Sequence, residues 1–272
     1  MTIRQISRIM LGAAAAFAVS AGAAQAAKCG NDGKGFEAWK AEFTKEAKGA
    51  GIKANALAAL QKTSYATKTI SADRNQKSFK LTLAQFMAKR GAPSIVSRGK
   101  GIKKSNAALF AAIEKKYGVP AGPLIAIHGM ESGFGAFMGS ENTLSAVATL
   151  AYDCRRSAYF TDQLYAALQL VQRGVITGAT RGAMHGEIGQ TQFLPKNVLT
   201  YGADGDGDGR VNMAGSKADA LASTANFLRG HGWKAGRGYQ PGEANYGAIQ
   251  GWNAASVYQQ AIAIMGKQID GQ

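Results

Sequence analysis

Cysteine is nearly absent from this chain, with 2 residues in 272. That is too few for a small disulfide scaffold or for a four-cysteine zinc site. The 3 histidines include no H-x-x-x-H pair, so the helical zinc-hydrolase pattern is excluded. Proline is scarce at 5 residues, and the 35 glycines follow no G-X-Y period, so the chain is not collagen-like. Acids are also under-represented, with 17 Asp and Glu against 32 Lys and Arg, a formal charge of +15. Charged residues make up only 18% and apolar residues 46%, which excludes a disordered chain. Strict apolar–polar alternation is almost missing, so no sheet is predicted.

What is present begins with a targeting pattern. Arg4 and Arg8 form a short basic region, followed by an apolar run from Ile9 to Val19 and a small-residue stretch ending Ala24-Gln25-Ala26. This is the layout of a secretory signal peptide at 1–26. The run is too short to span a bilayer, which needs about 20 residues, and no later apolar segment is long enough. Lys28 precedes Cys29, where a lipoprotein signal needs a small residue, so the expectation is an exported, periplasmic protein without a lipid anchor. Export favours a Cys29–Cys154 disulfide over two separate buried thiols. The basic balance suits a polyanionic partner. For an exported chain that means an anionic wall or membrane surface. The bases are scattered apart from Arg98, Lys100, Lys103 and Lys104, then Lys115 and Lys116, with little aromatic interleaving. No nucleic-acid partner and no membrane span are expected, and the chain is taken as a monomer.

Helical spacing runs through the rest. Phe36, Trp39 and Phe43 share one face, as do Leu81, Leu83, Phe86 and Met87. Ser105 is placed to cap a helix carrying Leu109, Phe110 and Ile113, which Gly118 and Pro120 end. Tyr159, Phe160, Leu164, Leu168 and Val171 mark another helix, stopped by Gly174. Further helices are predicted over 219–228 and 256–265, with long Gly-rich loops at 174–190 and 230–251. The fold class is therefore mainly α.

The segment from Pro123 to Met130 is apolar almost all round, which predicts a buried helix. It runs straight into Glu131-Ser132-Gly133-Phe134-Gly135. A carboxylate at the end of a buried helix is costly to ionise, because it is desolvated and faces the negative end of the helix dipole. A carboxylic acid that keeps its proton near neutrality is suited to general-acid work. The following glycines permit a tight turn and close approach of a ligand.

Glu131-Ser-Gly-Phe-Gly resembles the catalytic Glu-Ser/Thr-x-x-Gly signature of lytic murein transglycosylases of the membrane-bound B type. Further blocks resemble that family in order: Leu144 to Asp153 with Arg155 and Arg156; Gly186-x-x-Gly189-x-x-Gln192-Phe193-Leu194-Pro195; Asp204 to Arg210; Ala220 to Trp233; and Trp252-Asn253 with Tyr258. The resemblance covers essentially the whole chain after residue 26 and is densest from residue 120. It implies a lysozyme-like helical catalytic domain over 27–272, with 27–118 an N-terminal helical part and 119–272 the catalytic core. It implies cleavage of the MurNAc-β-1,4-GlcNAc bond of peptidoglycan glycan strands without water, leaving 1,6-anhydroMurNAc ends. Glu131 would be the one acid–base residue, unlike the usual carboxylate pair of glycosidases. No cofactor is required for that chemistry.

The same resemblance places Ser132, Gln192, Trp252 and Asn253 in the substrate site. Ser132 would bond the acid, Gln192 would line the cleft, and Asn253 would orient an N-acetyl group. Trp252 stands where the family usually has Tyr, keeping a flat face but losing a hydroxyl. His128 lies one turn before Glu131 and reads either as a tuner of the acid or as a core histidine. Glu187 stands where the family commonly has a small residue. It and Glu141 are the candidates for a second carboxylate, which would make the protein a hydrolytic muramidase. A third alternative is a non-catalytic wall-binding protein.

Asp204, Asp206 and Asp208 occupy positions 1, 3 and 5 of an EF-hand-like acidic loop, with Gly209 at position 6 and the Arg210 carbonyl at position 7. The twelfth position is Gly215 where an EF-hand needs Glu, and Asp219 is the family's closing ligand instead. A structural calcium ion is the expected occupant.

Overall fold

The structure, a computed structural model, covers residues 27–75 and 81–271. The expected signal peptide at 1–26 lies outside the described residues. Among those residues the fold is mainly helical: α1 (Phe36–Gly49), α2 (Ala54–Gln61), α3 (Thr67–Arg74), α4 (Leu83–Lys89), α5 (Ala92–Ser105), α6 (Ala107–Tyr117), α7 (Ala121–Ser132), α8 (Thr143–Tyr152), α9 (Ser157–Gln172), α10 (Pro195–Tyr201), α11 (Lys217–Gly230), α12 (Tyr246–Trp252) and α13 (Ser256–Asp270). A short antiparallel ladder pairs β1 (Glu141–Asn142) with β2 (Arg181–Gly182), the latter inside the stretch predicted as loop at 174–190. No helix among the described residues is long and apolar enough to cross a membrane.

Helix α7 is the centre of the molecule. Every residue from Ala121 to Met130 is buried, because apolar side chains surround the helix and α5, α11 and α13 pack against it. Helix α13 runs antiparallel along it. The approach is close: a Cβ on Gly122 would lie 2.2 Å from the Gly266 carbonyl oxygen, so only glycine fits. At the start of α7 the Asp270 carboxylate accepts hydrogen bonds from the Gly122 N–H at 2.8 Å, Lys103 Nζ at 3.1 Å and Tyr239 Oη at 2.8 Å. A negative charge at a helix N-terminus is favourable there. At the other end Gly133 adopts φ 58°, the left-handed conformation that closes a helix.

The N-terminal helices share one hydrophobic core with the remainder, running from Phe36 on α1 to Ile269 on α13. Phe36, Trp39 and Tyr152 form an aromatic nest with ring centroids 5.6 Å apart. Two boundary expectations need correction. Ser105 does not cap α6; it is the last residue of α5, and the cap position is held by Asn106, whose amide turns back to the Ile102 carbonyl at 2.9 Å. The 230–251 segment is not all loop, since α12 forms where Ala248 and Ile249 are buried. Two glycines in seven residues had hidden its pattern.

Cys29 and Cys154 are joined by a disulfide across a sequence separation of 125 residues. Gly30 pairs with the same segment, its N–H donating to the Tyr152 carbonyl at 3.0 Å and its carbonyl accepting from Cys154 at 3.1 Å. The bridge therefore ties the chain ahead of α1 to the end of α8. Replacing both cysteines by serine should lower stability by about 2–4 kcal/mol. Urea unfolding of the oxidised protein and the variant measures this as a lowered midpoint.

Candidate active site

The end of α7 opens into a cleft of about 390 Å³ lined by Glu131, Tyr159, Glu187, Gln192, Phe193, Leu194, Asn197, Phe227, Gly251, Trp252 and Asn253. Glu131 sits at its inner wall. Its Oε1 accepts two hydrogen bonds, from Tyr258 Oη at 2.7 Å and from Trp252 Nε1 at 3.0 Å. Burial raises the Glu131 pKa, and the Tyr258 and Trp252 donors and the nearby Arg90 charge only partly oppose that. Among the described residues Glu131 is in no salt bridge, so no counter-ion forces its ionisation. Both donors fall on one oxygen, Oε1. Tyr258 remains protonated, because burial and the adjacent Glu131 charge push its pKa well up.

Three elements make this arrangement. Helix α7 delivers the acid, α12 ends at Trp252, and α13 carries Tyr258 two residues past its start. Trp252 is fixed by ring contacts with Phe193 at 5.4 Å and Phe227 at 5.1 Å. The hydroxyl expected to be lost at this position is replaced by an indole N–H, which reaches the acid. Tyr258 belongs to the last block of the family resemblance, and its role as second donor to the acid emerges only in the structure. That block was the signal that could have assigned it.

The other expected site residues separate into two groups. Gln192 and Asn253 line the cleft. Gln192 holds a left-handed backbone with φ 54°, and its amide donates to the Gly189 carbonyl at 2.8 Å. Asn253 accepts from the Ala255 N–H at 2.9 Å through its side chain. Ser132 does not line the cleft and does not bond the acid. It is 2% exposed, donates to the Gln190 carbonyl and accepts from the Gly135 N–H at 2.8 Å. Its neighbours are backbone groups of two loops, which take up its one hydroxyl.

His128 is fully buried, with Nε2 2.9 Å from Gln190 Oε1. Burial drives its pKa down to about 4, despite the Gln190 bond, so it is a neutral core histidine. Gln190 was not foreseen. Its amide also donates to the Ala214 carbonyl at 3.0 Å, so it ties α7 to the segment that follows the acidic loop.

The two candidate second carboxylates part company. Glu141 lies on β1 beside Lys68 Nζ at 3.6 Å and is not among the cleft residues. Glu187 lines the cleft with Glu131. Burial pushes its pKa up, but hydrogen bonds from the His185 backbone N–H at 2.9 Å and Nδ1 at 3.1 Å outweigh this and hold it low.

In the acidic loop, carboxylate oxygens of Asp204, Asp206 and Asp219 lie within 4.8 Å of one another. Such hard oxygen donors fit a calcium ion. Asp219 is 1% exposed and closes the loop, accepting from the Gly205 N–H at 2.8 Å and the Asn212 N–H at 2.7 Å. Asp208 is not part of that group of three; its carboxylate accepts from the Arg210 N–H at 2.8 Å. The loop is thus not an EF-hand. It has three converging carboxylates, one of them supplied by α11.

The sequence profile described as the Transglycosylase SLT domain matches residues 35–242. The chain belongs to this family. Within the SLT family, it is 34% identical over 122 residues to membrane-bound lytic murein transglycosylase B of Escherichia coli (strain K12). That alignment takes in 44% of this chain but only 34% of the relative, about a third of its length. Among solved structures, SltB3 from Pseudomonas aeruginosa in complex with NAG-anhNAM-pentapeptide superposes with a TM-score of 0.81 at 28% identity, covering 88% of this chain and 80% of that one. Escherichia coli Slt35 in complex with calcium gives a TM-score of 0.73 at 20% identity, covering 90% and 96%, a likeness of fold. The SLT member described here is a lysozyme-like helical domain.

Glu131 holds a proton longer in the folded state than in the unfolded one. Its contribution is therefore favourable at low pH, and is lost as pH rises past the unfolded carboxyl value and through the raised folded one. Glu131→Gln should raise the melting temperature at pH 7, by about 2–4 °C for each kcal/mol regained, and the gain should vanish by about pH 4. Melting curves across that range check it.

Proposed function

We propose that this protein is an exported, periplasmic peptidoglycan lytic transglycosylase whose single acid–base residue is Glu131. The observation that carries the reading is a carboxyl group in the wall of a cleft, largely desolvated, without a counter-ion, and held through one oxygen by two neutral donors. This is the environment of a general acid that stays loaded near neutrality. Glu131 donates its proton to the glycosidic oxygen as the bond from C1 of MurNAc breaks. The same carboxylate then takes the proton of the C6 hydroxyl as that oxygen attacks C1. The product is a 1,6-anhydro ring, Glu131 is restored, and no water is consumed. The SltB3 complex with an anhydro-muropeptide supports this outcome by likeness.

Gln192 and Asn253 are assigned to the saccharide, since amides both donate and accept. Trp252 and Tyr258 orient the acid. Ser132 sets the loop after α7. We take 27–272 as one catalytic domain acting as a monomer on glycan strands. Asp204, Asp206 and Asp219 would hold a structural calcium ion, which would pin the segment that Gln190 links to α7 and supplies no step of the reaction.

Two experiments test this reading. Glu131→Gln should abolish release of anhydro-muropeptides from purified sacculi and leave sedimentation with sacculi intact; undiminished release would remove Glu131 from its role. Added calcium should raise the melting temperature of the wild-type protein and fail to do so for Asp219→Asn. An equal rise in both would show that the ion does not use this loop.

A further inference from the structure

Glu187 is a carboxylate of the cleft that single-carboxylate chemistry leaves unused. It is a charged side chain, 23% exposed, in the same small cleft as Glu131. Both of its oxygens are oriented by one residue: the His185 N–H bonds Oε2 and the imidazole Nδ1 bonds Oε1. The other imidazole nitrogen of His185 lies 3.8 Å from Asp73 Oδ1. Asp73 is itself buried at 2% and clamped by Arg155 and Arg156. His185 therefore orients the carboxylate with Asp73 behind it, and Glu187 itself lines the cleft. Surface carboxylates need no such support. A negative charge held in this way lies in the same cleft as Glu131, and fixed charge beside a centre that becomes positive is a major source of catalysis.

We propose that Glu187 is a second catalytic carboxylate, which stabilises the glycosyl cation and opens a hydrolytic branch beside the anhydro route. The proposal rests on the transglycosylase reading for the first step. Glu131 protonates the leaving oxygen and the C1–O bond breaks, its electron pair passing to that oxygen. A water in the cleft then attacks C1, and its proton passes to Glu187. Glu187 releases that proton to solvent, and Glu131 regains one from solvent. The sum is a glycoside plus water giving a hemiacetal and an alcohol, so a reducing MurNAc end forms in place of the anhydro end. The enzyme would thus set a ratio of two kinds of chain end.

The test digests purified sacculi in water enriched in oxygen-18 and separates the muropeptides by mass. The wild-type protein should give anhydro ends together with a minority of reducing ends carrying the label. In Glu187→Gln and Glu187→Ala the anhydro ends should fall, because both routes share the cation, and the labelled ends should fall about a hundredfold further, the lower range for loss of a general base. Alanine restores a small side chain at this position, so a fold defect in one variant leaves the other informative, and melting curves identify it. No labelled ends from the wild-type protein, or an unchanged labelled fraction in both folded variants, would overturn the proposal. Labelled ends that depend on Glu187 without any anhydro ends would support it and defeat the transglycosylase reading instead.

Discussion

A carboxyl group removed from water without a cation beside it keeps its proton, and the site follows from that constraint. Burying Glu131 requires a helix that is itself buried, so α7 is apolar on all sides. Burying α7 requires partners on every face, which α5, α11 and α13 supply. The acid's hydrogen-bond partners are then neutral, a phenol and an indole on one oxygen, while Arg90 and Glu187 act on it through their charges in opposite directions. A direct salt bridge would have held the group ionised and ended its use as an acid.

The pairing of α7 with α13 converts this electrostatic requirement into geometry. Asp270 fixes the start of α7, Gly122 and Gly266 allow the backbones to touch, and Tyr258 reaches the acid at the far end. One helix thus sets both the position of the carboxyl and its state of protonation. Gln190 links the same helix to the region of the acidic loop through His128 and the Ala214 carbonyl. A cation bound by Asp204, Asp206 and Asp219 would therefore act on the cleft through two hydrogen bonds and no shared ligand.

Much of this was legible along the chain. The helical pattern, the buried segment ending in Glu131, the two cysteines and the acidic loop are all written in local spacing. Errors arose where local rules compete. Ser105 is a good capping residue, but the preceding helix extends through it. Ser132 is adjacent to the acid in sequence and points to a different loop in space. Glu187 and Glu141 could not be told apart by residue type. Folding sends one to the cleft and the other to a strand beside Lys68.

The sequence by itself determined that a carboxyl would end an apolar helix, because composition and periodicity dictate what must leave water. Only the tertiary structure decided which groups would meet that carboxyl. Trp252 and Tyr258 lie 121 and 127 residues away along the chain, and hydrogen bonds of such separation leave no periodic trace. Desolvation is a property of a segment, whereas hydrogen-bond partnership and the field of a neighbouring charge depend on how segments pack.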